Sequence, residues 1–113
     1  MYILSKPISV EELKVMAGNT FGDLVKVVVD IEKSLVAVDA ELHADLESLL
    51  LEKGSHQQDL WGINFYPDLF GDDFIEFDSM INMRPSHNNM SRGVDSEETQ
   101  KKIIQLVSKW VKQ

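Results

Sequence analysis

Leu24-Val25-Lys26-Val27-Val28-Val29-Asp30-Ile31-Glu32-Lys33-Ser34-Leu35-Val36-Ala37-Val38-Asp39-Ala40-Glu41-Leu42 is the stretch that decides the fold. Its first half sets Val25, Val27, Val29 and Ile31 on one side of an extended chain, with Lys26 and Asp30 on the other. That period of two is the mark of a strand covered on one face. Its second half repeats the pattern with Val36, Val38, Ala40 and Leu42. Folding the two halves back through a tight turn near Lys33-Ser34 opposes Ile31 to Val36, Val29 to Val38, Val27 to Ala40 and Val25 to Leu42. The same register faces Lys26 to Glu41, a cross-strand pair worth about a few tenths of a kcal/mol. A slip of one residue destroys both agreements, so a hairpin is predicted.

Working outward, Asp45 is the predicted cap of a helix carrying Leu46, Leu49 and Leu50, which Gly54 ends. Leu60 to Tyr66 alternates again, with Trp61, Ile63 and Phe65 on one side and Asn64 and Tyr66 on the other. Phe74 to Met83 is its predicted partner, with Phe65 opposite Ile75, Ile63 opposite Phe77 and Asn64 opposite Glu76. Pro85 has no N–H for a sheet ladder and ends that second hairpin. Upstream, Tyr2-Ile3-Leu4 reads as an edge strand. Ser9 to Glu12 reads as a capping box opening a helix over 10–17. Asp95, as cap, opens a last helix presenting Ile103, Ile104, Val107, Trp110 and Val111.

The order is therefore β-α-β-β-α-β-β-α. Strands grouped in hairpins imply an α+β fold, an antiparallel sheet with helices packed on one face. The 113 residues form a single domain, 1–113, with room for one modest core. The absence of cysteine excludes disulfides, thiolate catalysis and Cys-ligated metals. No run of about 18 apolar residues is present for a membrane span, and the N-terminus lacks a signal peptide's pattern, so a cytoplasmic protein is expected. Against 19 Asp+Glu there are 11 Lys+Arg, a net charge of −8 that repels phosphate backbones and disfavours nucleic acid as a partner.

Several candidate sites emerge. The polar side of the hairpins carries Asn64, Tyr66, Glu76, Asp78, Asn82 and Arg84, which with Arg92 from the following loop are the ligand-binding candidates. Amide, phenol, carboxylate and guanidinium groups together are richer in recognition chemistry than a plain Lys/Glu face, although antiparallel sheets often leave one face to water. Asp39, Glu41 and His43 fall on one side of a strand, and with neighbouring ligands such a set can hold a divalent cation. Side chains two apart on a strand are about 7 Å from one another, so other elements must contribute. No other cofactor motif is present: neither a P-loop nor Gly-x-Gly-x-x-Gly nor Gly-x-Ser-x-Gly occurs. Leu69 and Phe70, apolar residues on a polar loop, are candidate anchors for a protein partner or a homodimer. The leading expectation is a binding or interaction module, for a small molecule or a protein, without catalytic machinery. The alternative is a small metal-dependent hydrolase using His43 and carboxylates.

Phe21-Gly22-Asp23, Val29-Asp30-Ile31-Glu32-Lys33, Glu41-Leu42-His43-Ala44-Asp45, Asp59-Leu60-Trp61-Gly62-Ile63-Asn64, Ser79-Met80-Ile81-Asn82 and Arg84-Pro85 together resemble a small uncharacterised prokaryotic family, a domain of unknown function. The similarity spans nearly the whole chain. It implies a compact stand-alone domain in a prokaryotic cytoplasm and carries over no activity, cofactor or catalytic residue.

Overall fold

In the computed structural model, which describes all 113 residues, the valine-rich stretch forms the middle of the sheet. Strands β1 (Tyr2–Ile3), β3 (Val25–Asp30), β4 (Leu35–Val38), β5 (Leu60–Phe65) and β6 (Ile75–Glu76) assemble in the order β1-β4-β3-β5-β6. Every neighbouring pair is antiparallel. Helices α1 (Val10–Gly18), α2 (His43–Glu52) and α3 (Glu97–Trp110) intervene. The fold is α+β, in the element order expected. Two short strands are added: β2 (Ile8–Ser9) and β7 (Val111–Lys112) pair in parallel and tie the start of α1 to the end of α3.

The first hairpin forms in a different register from the expected one. Val29 faces Val36 and Val27 faces Val38. The Asp30 carboxylate is the reason. Its Oδ1 accepts the backbone N–H groups of Glu32 and Lys33, both at 2.9 Å, and draws 31–34 into a loop with Ser34 at φ 59°. At the far end Asp39 adopts φ 73°, so β4 stops at Val38 and the Lys26–Glu41 pair is not made. The shift is by an even number of residues, so each side chain keeps its face. Val25, Val27, Val29, Val36 and Val38 all enter one core cluster.

Helices do not pack on one face only. Leu13, Met16 and Ala17 of α1 and Ile103, Leu106 and Val107 of α3 cover the face of Val27, Val29, Ile63 and Phe65. Leu46 and Leu50 of α2 cover the opposite face through Val28, Ala37 and Leu60. The uninterrupted Val27-Val28-Val29 run is what a strand buried on both faces requires. All six residues of β5 are buried for the same reason.

The second hairpin keeps its predicted register, with Phe65 opposite Ile75 and Asn64 opposite Glu76, but β6 ends at Glu76 instead of running to Met83. Gly62 explains the early end. A Cβ at Gly62 would lie 2.5 Å from Ser79 Cβ, so Ser79 occupies the space a side chain there would fill. Beyond it the chain turns through 3-10 segments at Met80–Asn82 and Pro85–His87. Two caps also move. Leu42 holds the N-cap position of α2 without a side-chain bond, and Asp45 lies inside its first turn. Ser96, not Asp95, caps α3 by accepting from Thr99 N–H.

Candidate functional site

The polar groups of the sheet divide into bracing residues and a half-buried cluster around buried Asn64. The outer edge of β5 beyond β6 is closed by side chains. Asn82, fully buried, accepts the Gly62 N–H at 2.8 Å and returns a bond to the Gly62 carbonyl at 2.9 Å. Arg84 donates to the carbonyls of Gln57 and Leu60 and lies 4.5 Å over the Trp61 ring. Asn89 donates from its amide to the Asn82, Ser91 and Gly93 carbonyls and accepts from Asp95 N–H. These side chains stand in for a sixth strand, satisfying donors and acceptors that burial would otherwise strand. Burial pulls the Arg84 guanidinium below its ordinary pKa, against the opposing fields of Glu47 and Asp59. Asn82 and Arg84 thus present no free face to a ligand.

Asn64, Tyr66, Glu76 and Asp78 with Arg92 form the remaining polar patch. Glu76 Oε1 accepts from Asn64 Nδ2 at 2.8 Å and from the Tyr66 hydroxyl at 3.0 Å. Burial and the neighbouring Glu76 raise the Tyr66 pKa above its usual value. Arg92 Nε meets Asp78 Oδ1 at 2.7 Å, with both side chains substantially exposed. The larger surface concavities of the molecule are lined by other residues, so the patch is shallow.

The structure does not gather Asp39, Glu41 and His43 into a ligand set. Asp39 ends a strand beside the N-terminal ammonium, 3.9 Å away. His43 begins α2, is buried, and has its Nε2 2.8 Å from the Ile63 carbonyl. No three His, Asp or Glu side chains lie close enough anywhere in the chain to hold a metal ion. The helix begins at His43 because Asp39's left-handed backbone ends the strand early, so the strand period that would have aligned these residues is lost.

Leu69 and Phe70 occupy a different position. The loop between β5 and β6 is braced at its base: Phe74 is buried, stacks on Phe65 at 5.0 Å between ring centroids, and its carbonyl accepts from Tyr66 N–H. At its tip Leu69 N–H bonds the Tyr66 carbonyl and Asp73 N–H bonds the Phe70 carbonyl. Leu69 is 46% exposed and Phe70 85% exposed. Beside the loop runs an open groove between β6 and α3. One part, about 290 Å³, is lined by Phe74, Ile75, Val107 and Val111; the other, about 350 Å³, by Phe77 and Gln100. Gly71, Ile75 and Ile104 belong to both parts and make the groove continuous. The sequence placed Phe77 on a strand and Ile104 on a buried helix face. Shortening of β6 leaves Phe77 partly exposed, and Ile104 is 47% exposed at the groove.

No helix is long and apolar enough to cross a membrane. Comparison with curated proteins and with solved structures finds no significant match to either. A family model does match, over residues 2–110, and it spans the sheet, all three helices and the Phe70 loop. The chain therefore belongs to the family described as protein of unknown function (DUF5674).

Proposed function

We propose that the protein is a small cytoplasmic interaction module that docks a protein partner through the Phe70 loop and the groove between β6 and α3, without catalysis. The observation that carries this reading is the 85% exposure of Phe70 on a loop whose base is held by buried Phe74 and by backbone hydrogen bonds. An exposed aromatic forgoes roughly 1.5–3 kcal/mol of burial, and on a braced tip it does so in a defined direction. Aromatic anchors of this kind dominate interface energies when they enter an apolar pocket. The neighbouring groove supplies further apolar surface in Ile75, Phe77 and Ile104. Apart from the Asn64 Oδ1, which has no partner, the hydrogen-bonding groups of the shallow polar patch are engaged with one another, which suits a solvated rim better than a small-molecule pocket.

Photo-cross-linking tests the reading. A photoreactive phenylalanine analogue placed at position 70, in cells that make the protein, is expected to yield one discrete adduct. Ile104→Asp, on the opposite wall of the groove, should cut that adduct at least about tenfold. A diffuse smear, or no adduct, overturns the proposal.

A further inference from the structure

We infer that the partner is a second copy of this chain, related by a two-fold axis that seats each copy's Phe70 in the other's groove; the inference rests on the docking reading above. The first support is adjacency. Phe70 borders a smaller concavity with Val10, Glu11 and Lys14 of α1, which shares Gln113 with the groove, and Gly71, the next residue, lines both parts of the groove, so projection and recess adjoin. An isologous two-fold contact needs such a pairing, because the same patch must act as donor and recipient. The second is size. A cavity of about 150 Å³ accepts a benzene ring, and either part of the groove, at about 290 and 350 Å³, exceeds that.

The third support is charge. The loop over 67–73 carries Asp68, Asp72 and Asp73 and no basic residue. From Thr99 to the C-terminus the chain carries Lys101, Lys102, Lys109 and Lys112 and no acidic residue, in a protein of net charge −8. Gly71 and Asp72 of the first segment and Gln100, Ile104 and Val107 of the second line the groove, whereas Lys102 and Lys109 lie on the other flank of α3, beside Glu32 and Ser34. Within one chain Asp72 and Asp73 make no ion pair, and neither do Lys101, Lys109 and Lys112. A two-fold mate brings the acidic loop of one copy toward the segment of the other that carries the unpaired Lys101 and Lys112, twice. Such complementarity offsets the repulsion that two chains of like net charge feel at a distance.

Sedimentation equilibrium of the purified full chain tests this. The expected mass is twice the 12.9-kDa chain mass. Phe70→Asp and Ile104→Asp should each weaken the dimer at least roughly thirty-fold, the lower bound for a hot-spot residue. Raising the salt concentration should weaken the wild-type dimer as well. The two variants mixed should associate more tightly than either alone, since one retains its groove and the other its Phe70. Phe70→Ser serves as a second, uncharged variant, and near-ultraviolet circular dichroism from Trp61 and Trp110 verifies that each variant is folded. A wild-type chain that stays monomeric at about 100 μM, far above the Kd of a standard interface, overturns the inference. So does a dimer indifferent to both Phe70 variants, or a mixture no tighter than its components. A monomer that still gives a discrete photo-adduct of another mass places a different protein in the groove and leaves the docking reading standing. A monomer with no adduct removes both.

Discussion

Single residues here do work that sheets usually assign to strands. Asn82 bonds both the N–H and the C=O of Gly62, and Arg84 takes the Leu60 carbonyl two residues away. The amide is suited to this because it carries donor and acceptor in one plane, as a peptide group does. Asp30, fully buried, serves similarly at the end of the central strand β3: Oδ1 orders the β3–β4 turn and Oδ2 accepts the Ser55 hydroxyl at 2.6 Å. His43 is the residue whose burial has a measurable pH consequence. Burial lowers its pKa from 6.5 and nearby Lys26 adds to this, against the opposing influences of the Ile63 carbonyl, Asn64 and Asp78. The unfolded chain then binds a proton near pH 6.5 that the native state refuses until lower pH. The stability from neutral His43 is fully present above that pH and is lost as pH falls from it toward the depressed native pKa. Urea unfolding at about pH 7.5 and about pH 5 should show a larger loss for wild type than for His43→Gln, which keeps a donor but does not titrate. Equal losses in the two proteins would refute the assignment.

At the scale of elements, the helices differ in how their ends are held. Ser9 accepts the Glu12 N–H at 3.1 Å and Ser96 the Thr99 N–H at 3.2 Å, each satisfying one of the orphan donors of a first turn. Helix α2 has no side-chain cap, and Asp45 acts there only as a negative charge within the first turn. Chemical denaturation should accordingly find Ser9→Ala and Ser96→Ala each less stable by about 1 kcal/mol. Asp45→Ala should cost only about 0.3–1 kcal/mol. A cost for Asp45 as large as that for either serine would mean that it caps the helix after all. Strand β6 shows a related economy. It pairs through two residues only, and then Ser79 closes on Gly62 too tightly for any side chain at that position. Its outer edge is short, which limits edge-to-edge pairing with other sheets and leaves side chains, not backbone, to make contacts in the groove.

For the molecule as a whole, the sheet is a partition between two unequal cores. Nineteen buried residues gather on the side of α1 and α3, and five on the side of α2. β3 lies at the centre, paired with β4 on one edge and β5 on the other. Local opening follows the least buried contacts first. Native-state hydrogen exchange should therefore find the amides of Val27 to Val29 the slowest, opening only with global unfolding. Amides of α2 should exchange through an opening of lower free energy. Protection of α2 equal to that of β3 would show that the smaller core is no weaker than the larger. The same asymmetry bears on the proposed docking surface, which belongs to α3 and β6 and so to the side of the larger core. An interface built there rests on the stiffer part of the protein, which lowers the ordering cost of association.

How much of this was legible in the sequence depends on the range of the interaction that decides each feature. Alternation of apolar residues is local, and it placed β1, β3 and β5, the starts of β4 and β6, and the Phe65–Ile75 pairing, but it carried β4 and β6 too far and gave no sign of β2 and β7. The Val27-Val28-Val29 run already carried the signal for burial on two faces, although polar Lys26 and Asp30 at its ends obscured it. The register of the first hairpin was beyond such a reading, because it is set by where one carboxylate, Asp30, sends its hydrogen bonds. Roles of the candidate site residues were likewise out of reach. Residue type marks Asn82, Arg84 and His43 as equally suited to a ligand or to a buried backbone group, and only the approach of β5 commits their side chains to Gly62, Leu60 and Ile63. Phe70 is the converse case: loop composition made its exposure an open question, and the stacking of Phe74 on Phe65 turned the tip outward. Sequence alone located the three helices, the starts of the main-sheet strands and one apolar face of each, since covalent spacing dictates these. Tertiary structure decided which polar groups are spent inside the protein and which remain for a partner, since that follows from contacts between residues far apart in the chain.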